Sequence, residues 1–150
     1  FLIPYVPTRR RVVRRMIEVA GLKKDEVVYD LGCGDGRLLL EAERKHKTCG
    51  VGFELAPLVY FTARLKKLFH RASFDLRFQN LFTADLRKAD VIFCYLIPSA
   101  MEKLAEKVER ECKKGTRIVA NTFHLPKLTP THVFPKNDKE KLPSIYVYHV

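Results

Sequence analysis

Apolar positions along this chain alternate between two periods. Over residues 8–20 they recur every three to four positions, at Val12, Val13, Met16, Ile17 and Ala20, the face of a helix that Thr8 caps and Gly21 ends. Val27–Leu31 is instead a continuous apolar run, as expected of a strand buried on both faces, and helical spacing returns over 37–45. The alternation then repeats. A strand is predicted over Cys49–Glu54, a helix from Pro57 carrying Val59, Tyr60, Ala63, Leu65 and Leu68 inward, and a strand over Asp75–Phe78. A strongly apolar strand follows at 89–96, then a helix boxed at its start by Ser99 and Glu102 and ending near Gly115, then a strand at 117–123. Two final runs, 131–134 and 144–150, flank the charged turn 137–141 and read as an antiparallel pair. Repeated β-α units specify an α/β fold: a mostly parallel seven-strand sheet, a C-terminal antiparallel hairpin, helices on both faces, and a ligand crevice at the carboxyl ends of the strands.

Composition narrows this to one domain. A chain of 150 residues that is 47% hydrophobic forms a single core burying roughly 70% of its unfolded surface. No internal repeat is visible, and no apolar run approaches the ~20 residues that span a bilayer. Cys33, Cys49, Cys94 and Cys112 are widely spaced without a C-x-x-C pair, so reduced thiols in the cytoplasm are expected, with neither a disulfide frame nor a metal site.

The chemistry concentrates after the first strand, where Asp30-Leu31-Gly32-Cys33-Gly34-Asp35-Gly36 places three glycines at alternate positions. Glycines there let the backbone approach a ligand closely. The order G-x-G-x-G is neither the G-x-G-x-x-G of dinucleotide folds nor the G-x-x-x-x-G-K-[ST] of phosphate loops. Asp35, inside the loop, would repel a pyrophosphate, which points to a zwitterionic or cationic ligand. Glu54, the acid ending the second strand, is placed to accept hydrogen bonds from both hydroxyls of a ribose.

This loop resembles motif I of the seven-strand S-adenosylmethionine (SAM) methyltransferases, which have a Rossmann-like fold. Together with Pro4-Tyr5-Val6-Pro7-Thr8 and Gly115-Thr116-Arg117-Ile118-Val119, it makes nearly the whole chain similar to the small protein-lysine methyltransferases. That group includes archaeal broad-specificity enzymes and those acting on the c-ring protein of ATP synthase. The resemblance implies SAM as cofactor and S-adenosylhomocysteine as product. It places Asp30 near the cofactor's amino group, Gly32, Cys33, Gly34 and Gly36 beneath its methionine part, and Asn80, Leu81 and Phe82 at the adenine. Residues 1–21 would close over the site, with Tyr5, Pro7 and Thr8 against the cofactor.

Methyl transfer from a sulfonium needs alignment and exclusion of water. A lysine acceptor must also be neutral, which an aromatic, desolvated channel favours. Candidates at the ends of strands four and five are Tyr95, Asn121 and His124, with Tyr5 closing from the opposite side and Tyr95 also lining the cofactor. Tyr95 and Phe123 read equally as core aromatics, and His124 as a surface histidine. Tyr-Leu-Ile-Pro replaces the Asn/Asp-Pro-Pro-Tyr/Phe loop of base methyltransferases after strand four.

The net charge of +11, with Arg9, Arg10, Arg11, Arg14 and Arg15 on one helix, suits nucleic acid, an acidic protein or an anionic membrane. Apolar Phe1-Leu2-Ile3 before those arginines suggests a membrane anchor upstream, at the cytoplasmic face. The leading expectation is a monomeric SAM-dependent protein-lysine methyltransferase. The alternatives are an RNA methyltransferase and a non-catalytic SAM-binding partner of another protein.

Overall fold

The computed structural model describes residues 5–150, so Phe1-Leu2-Ile3 and Pro4 lie outside the described residues. The chain runs α1 (Arg10–Ala20), β1 (Val27–Leu31), α2 (Arg37–His46), β2 (Cys49–Glu54), α3 (Pro57–Phe69), β3 (Asp75–Phe78), a 3-10 turn (Leu81–Thr83), β4 (Val91–Cys94), α4 (Pro98–Glu111), β5 (Arg117–Asn121), β6 (His132–Phe134) and β7 (Ile145–His149). One sheet takes the order β3-β2-β1-β4-β5-β7-β6. β1 to β5 are parallel, while β7 runs antiparallel to both β5 and β6.

Alternation along the strands divides the core between the two faces of the sheet. Val28, Val91, Phe93, Val119 and Val147 meet the apolar sides of α1 and α2 and Ala63 of α3. Tyr29, Leu31, Ile92, Ile118, Ala120 and Tyr148 meet α4 through Ala100, Met101, Leu104, Ala105 and Val108. All five apolar residues predicted on α1 are buried, and Gly21 ends it in the left-handed conformation. Two predicted caps differ. α1 starts after Arg9 with no side-chain cap, because the Thr8 carbonyl is drawn to Arg37, whose Nη1 donates to it at 2.9 Å. α4 starts at Pro98, whose fixed φ and missing N–H suit the first helical position, so Ser99 lies inside the helix.

α3 departs furthest from expectation. Ala63 is buried and Tyr60 packs at the edge of the core, but Leu65 and Leu68 face solvent. Apolar residues surround this helix, so its sequence offered two inward faces. The short edge strand β3 beneath it accommodates the one with the smallest side chain.

Candidate active site

The sheet reverses its strand order at β1, between β2 and β4, and crevices open at such points beyond the carboxyl ends of the strands. Residues 32–36 turn there from β1 into α2. Gly32 N and Cys33 N both donate to the Phe53 carbonyl at 2.9 Å, and Gly34 N donates to Glu54 Oε1 at 2.9 Å. Glu54 Oε2 accepts from Leu55 N and Ala56 N at 3.0 Å, so the last residue of β2 ties the glycine turn to the start of α3. Gly34 has a φ of 58°, and a Cβ on it would lie 2.7 Å from Tyr5 Cε1. Only glycine fits where Tyr5 lies across the turn.

Arg37 fastens this N-terminal crossing. Besides holding Thr8, its Nε and Nη2 donate to the Asp35 carboxylate at 3.0 and 2.9 Å, and Lys66 Nζ donates to Asp35 Oδ2 at 2.7 Å. Burial works against the Asp35 charge, but these two cations hold its carboxyl at a pKa of about 2. Asp35 is therefore engaged by the protein, and its charge does not select the ligand as the sequence suggested. The charge that governs the ligand belongs to Asp30.

Asp30 is buried at the end of β1 and faces the crevice. Desolvation, followed by repulsion from Glu54 and Asp35, pushes its pKa up to about 7. A buried carboxyl among acids calls for a cation. Beside it, burial raises the Cys33 thiol far above its usual range, so Cys33 lines the site as a neutral, apolar group.

One cavity brings together Tyr5, Pro7, Thr8, Asp30, Gly32, Cys33, Gly34, Glu54, Asn80, Leu81, Phe82 and Tyr95. Gly36 lies outside it: this glycine precedes α2 with a φ of 83°, and a Cβ there would meet the Phe74 ring at 3.3 Å. Asn80 caps the 3-10 turn, its Oδ1 accepting from Phe82 N at 3.0 Å, which fixes residues 80–82 along the cavity wall. Sequence reasoning did not find Arg37 or Lys66. The nearness of Arg37 to Asp35 was a usable signal, whereas nothing in the pattern linked Lys66 to the loop.

A second cavity lies between the N-terminal segment, the end of β5 and residues 136–143. It shares Val6, Pro7, Thr8 and Tyr95 with the first and adds Asn121 and Thr122. Asn121 is buried, and its Oδ1 accepts from Thr122 Oγ1 at 2.8 Å. Thr122 has a φ of 69°, a strained conformation for a β-branched residue. His124 is exposed, stands against the Tyr146 ring and lines neither cavity.

Residues 30–132 match the family described as the ANTKMT methyltransferase domain. The chain belongs to the ANTKMT methyltransferase family. Over 149 residues it is 34% identical to a protein-lysine N-methyltransferase of Saccharolobus islandicus (strain REY15A), covering 97% of this chain and 92% of that one. It is 31% identical to the adenine nucleotide translocase lysine N-methyltransferase of Mus musculus, a match that covers 87% of this chain and 58% of that protein. A crystal structure of an RNA methyltransferase from Salinibacter ruber with S-adenosyl-L-homocysteine superposes with a TM-score of 0.90 at 32% identity, covering 97% of this chain and 94% of that one. This ANTKMT-family chain is a SAM-dependent methyltransferase, and its first cavity fits the cofactor. Asp30 offers an uncompensated carboxyl to an ammonium, the glycine turn admits close approach, and Glu54 Oε1 keeps one acceptor position for a hydroxyl.

Proposed function

We propose that this methyltransferase acts on lysine side chains of a protein, and that the lysine enters through the second cavity. The observation that carries this reading is the wall common to both cavities, Val6, Pro7, Thr8 and Tyr95, with buried Asn121 on the far side. A donor in one cavity and an acceptor in the other would meet at Tyr95. Lysine-directed relatives, one aligned over nearly the whole chain, support the choice of acceptor.

Bound SAM supplies a methyl group on a positively charged sulfur, open to in-line displacement. The Asp30 carboxylate would hold the ammonium of the methionine part, Glu54 would accept from a ribose hydroxyl through the open position on Oε1, and Asn80, Leu81 and Phe82 would flank the adenine. Tyr5, Pro7 and Thr8, fastened by Arg37, cover the site and exclude water. The acceptor is an ammonium in water, with a pKa of about 10.4, and must release a proton to solvent before its lone pair can attack. Desolvation against Tyr95 favours the neutral amine. Asn121 Oδ1, oriented by Thr122, would accept an N–H of that amine and turn its lone pair toward the first cavity. His124 has no part in this scheme.

A second reading, RNA methylation, is favoured by the net charge of +11 and by the description of the Salinibacter ruber structure. Isotope-labelled SAM incubated with the enzyme and a cell lysate separates the two. Label that is removed by protease and recovered as methyl-lysine supports the proposal. Label that is removed by ribonuclease overturns it.

A further inference from the structure

The exposed face of α3 has no role in either cavity. On a helix of 3.6 residues per turn, Leu58, Phe61, Leu65, Leu68 and Phe69 fall within an arc of roughly 100° opposite buried Ala63. Their exposures are 84, 60, 52, 76 and 83%, so these side chains stand out into solvent rather than line a groove. Phe78, on the neighbouring edge strand, is also exposed and packs against Tyr60 of the same helix. An apolar patch of this size on a water-soluble surface marks an interaction site.

Charge selects the occupant. From Leu55 to Phe74 the chain carries Arg64, Lys66, Lys67 and Arg71 and no acidic residue. Lys66 is bound to Asp35 and lies to one side of the stripe, while Arg64 borders the other. A second copy docked by two-fold symmetry would set this basic border against itself, without the opposite charges that helix pairs use along their seams. Each copy would also bring a net charge of +11. An anionic bilayer accommodates both features, because its headgroups meet the cations while Leu and Phe side chains enter the acyl boundary.

We propose that α3 docks this enzyme onto anionic lipid surfaces, with its apolar stripe in the interface and Arg64 on the headgroups. This contact is independent of the acceptor assigned above and of any residues upstream of Phe1.

The test is flotation of the full chain with phosphatidylcholine vesicles, with and without about 30 mol% phosphatidylglycerol. Anionic vesicles are expected to retain at least roughly tenfold more protein than neutral ones, and half-molar salt to weaken that retention. Leu58→Gln/Phe61→Gln/Leu65→Gln is expected to lose roughly tenfold or more of the vesicle binding while keeping its melting temperature and its affinity for S-adenosylhomocysteine. Arg64→Glu is expected to lose most of the preference for anionic lipid. The proposal is overturned if the unmodified chain does not float with anionic vesicles, or if the triple variant floats equally well, which would assign lipid binding to the arginines of α1. It is also overturned if the chain sediments as a dimer that the triple variant converts to monomer, with no vesicle binding by either.

Discussion

The two cavities that meet at Tyr95 are built from different materials. The cofactor side consists of backbone and charge: a glycine turn anchored on Phe53, a carboxylate on three backbone amides, and a buried acid without a partner cation among the described residues. The proposed acceptor side consists of side chains from the N-terminal segment, the end of β5 and the 136–143 loop. A cofactor is one molecule and rewards a fixed cradle, whereas an acceptor differs between enzymes and is met by loops on the same scaffold. Perturbing each side should therefore fail in a different way.

Asp30→Asn is expected to have the largest effect. Loss of the carboxylate should weaken SAM at least roughly hundredfold, about 2.7 kcal/mol, when measured by calorimetry. The same change should stabilise the ligand-free protein at pH 8. The folded-state pKa of Asp30 lies above its unfolded value, so its contribution to stability is complete at low pH and is lost as pH rises through about 7. An asparagine removes that penalty, and a melting temperature raised by a few degrees would show it. A variant that binds SAM normally would break the comparison.

Gly34→Ala forces a left-handed alanine into the Tyr5 ring. The expected cost is about 1–3 kcal/mol of stability, with SAM weakened at least roughly tenfold. Adding Tyr5→Ala should recover part of the affinity, because the clash is with that ring.

The ionisation of Asp30 gives the next effect. Below about pH 7 its carboxyl is protonated in the free protein, and an ammonium requires it charged. SAM affinity should fall on going from pH 8 to pH 6 by roughly tenfold, and binding at pH 6.5 should release a proton. Calorimetry in buffers of different ionisation enthalpy measures that proton. Asp30→Asn should show neither.

Thr122→Gly is expected to be the mildest. It relieves the positive φ at the cost of added backbone freedom, for a net gain of about 0.5–1 kcal/mol in thermal or denaturant unfolding. It also frees the Asn121 amide, so turnover should drop a few fold, while S-adenosylhomocysteine binds as before.

The same contrast governs how much the sequence disclosed. The order of elements along the chain, the inward face of α1 and the position of the glycine turn were legible because a buried strand, an amphipathic period and closely spaced glycines each leave a local mark. The clamp of Lys66 on Asp35 joins residues from distant elements, and no spacing announces it. Gly36 matched the motif by position but serves the packing of α2 on Phe74. His124 is two residues beyond Thr122, whose positive φ redirects the chain in a way that polarity patterns cannot show. α3 misled because it is apolar on both sides, and only the packed sheet shows that its larger face is outward.

The most direct measurement pairs Asp30→Asn with Asn121→Ala, each titrated with S-adenosylhomocysteine and assayed for methyl transfer to a lysine-containing protein. Asp30→Asn should lose both binding and transfer. Asn121→Ala should bind within about twofold of the unmodified chain while transfer falls at least roughly tenfold, because its residue contacts only the acceptor. Equal loss of cofactor affinity in both variants, or full transfer by Asn121→Ala, would contradict the division of the site into two cavities with separate tasks.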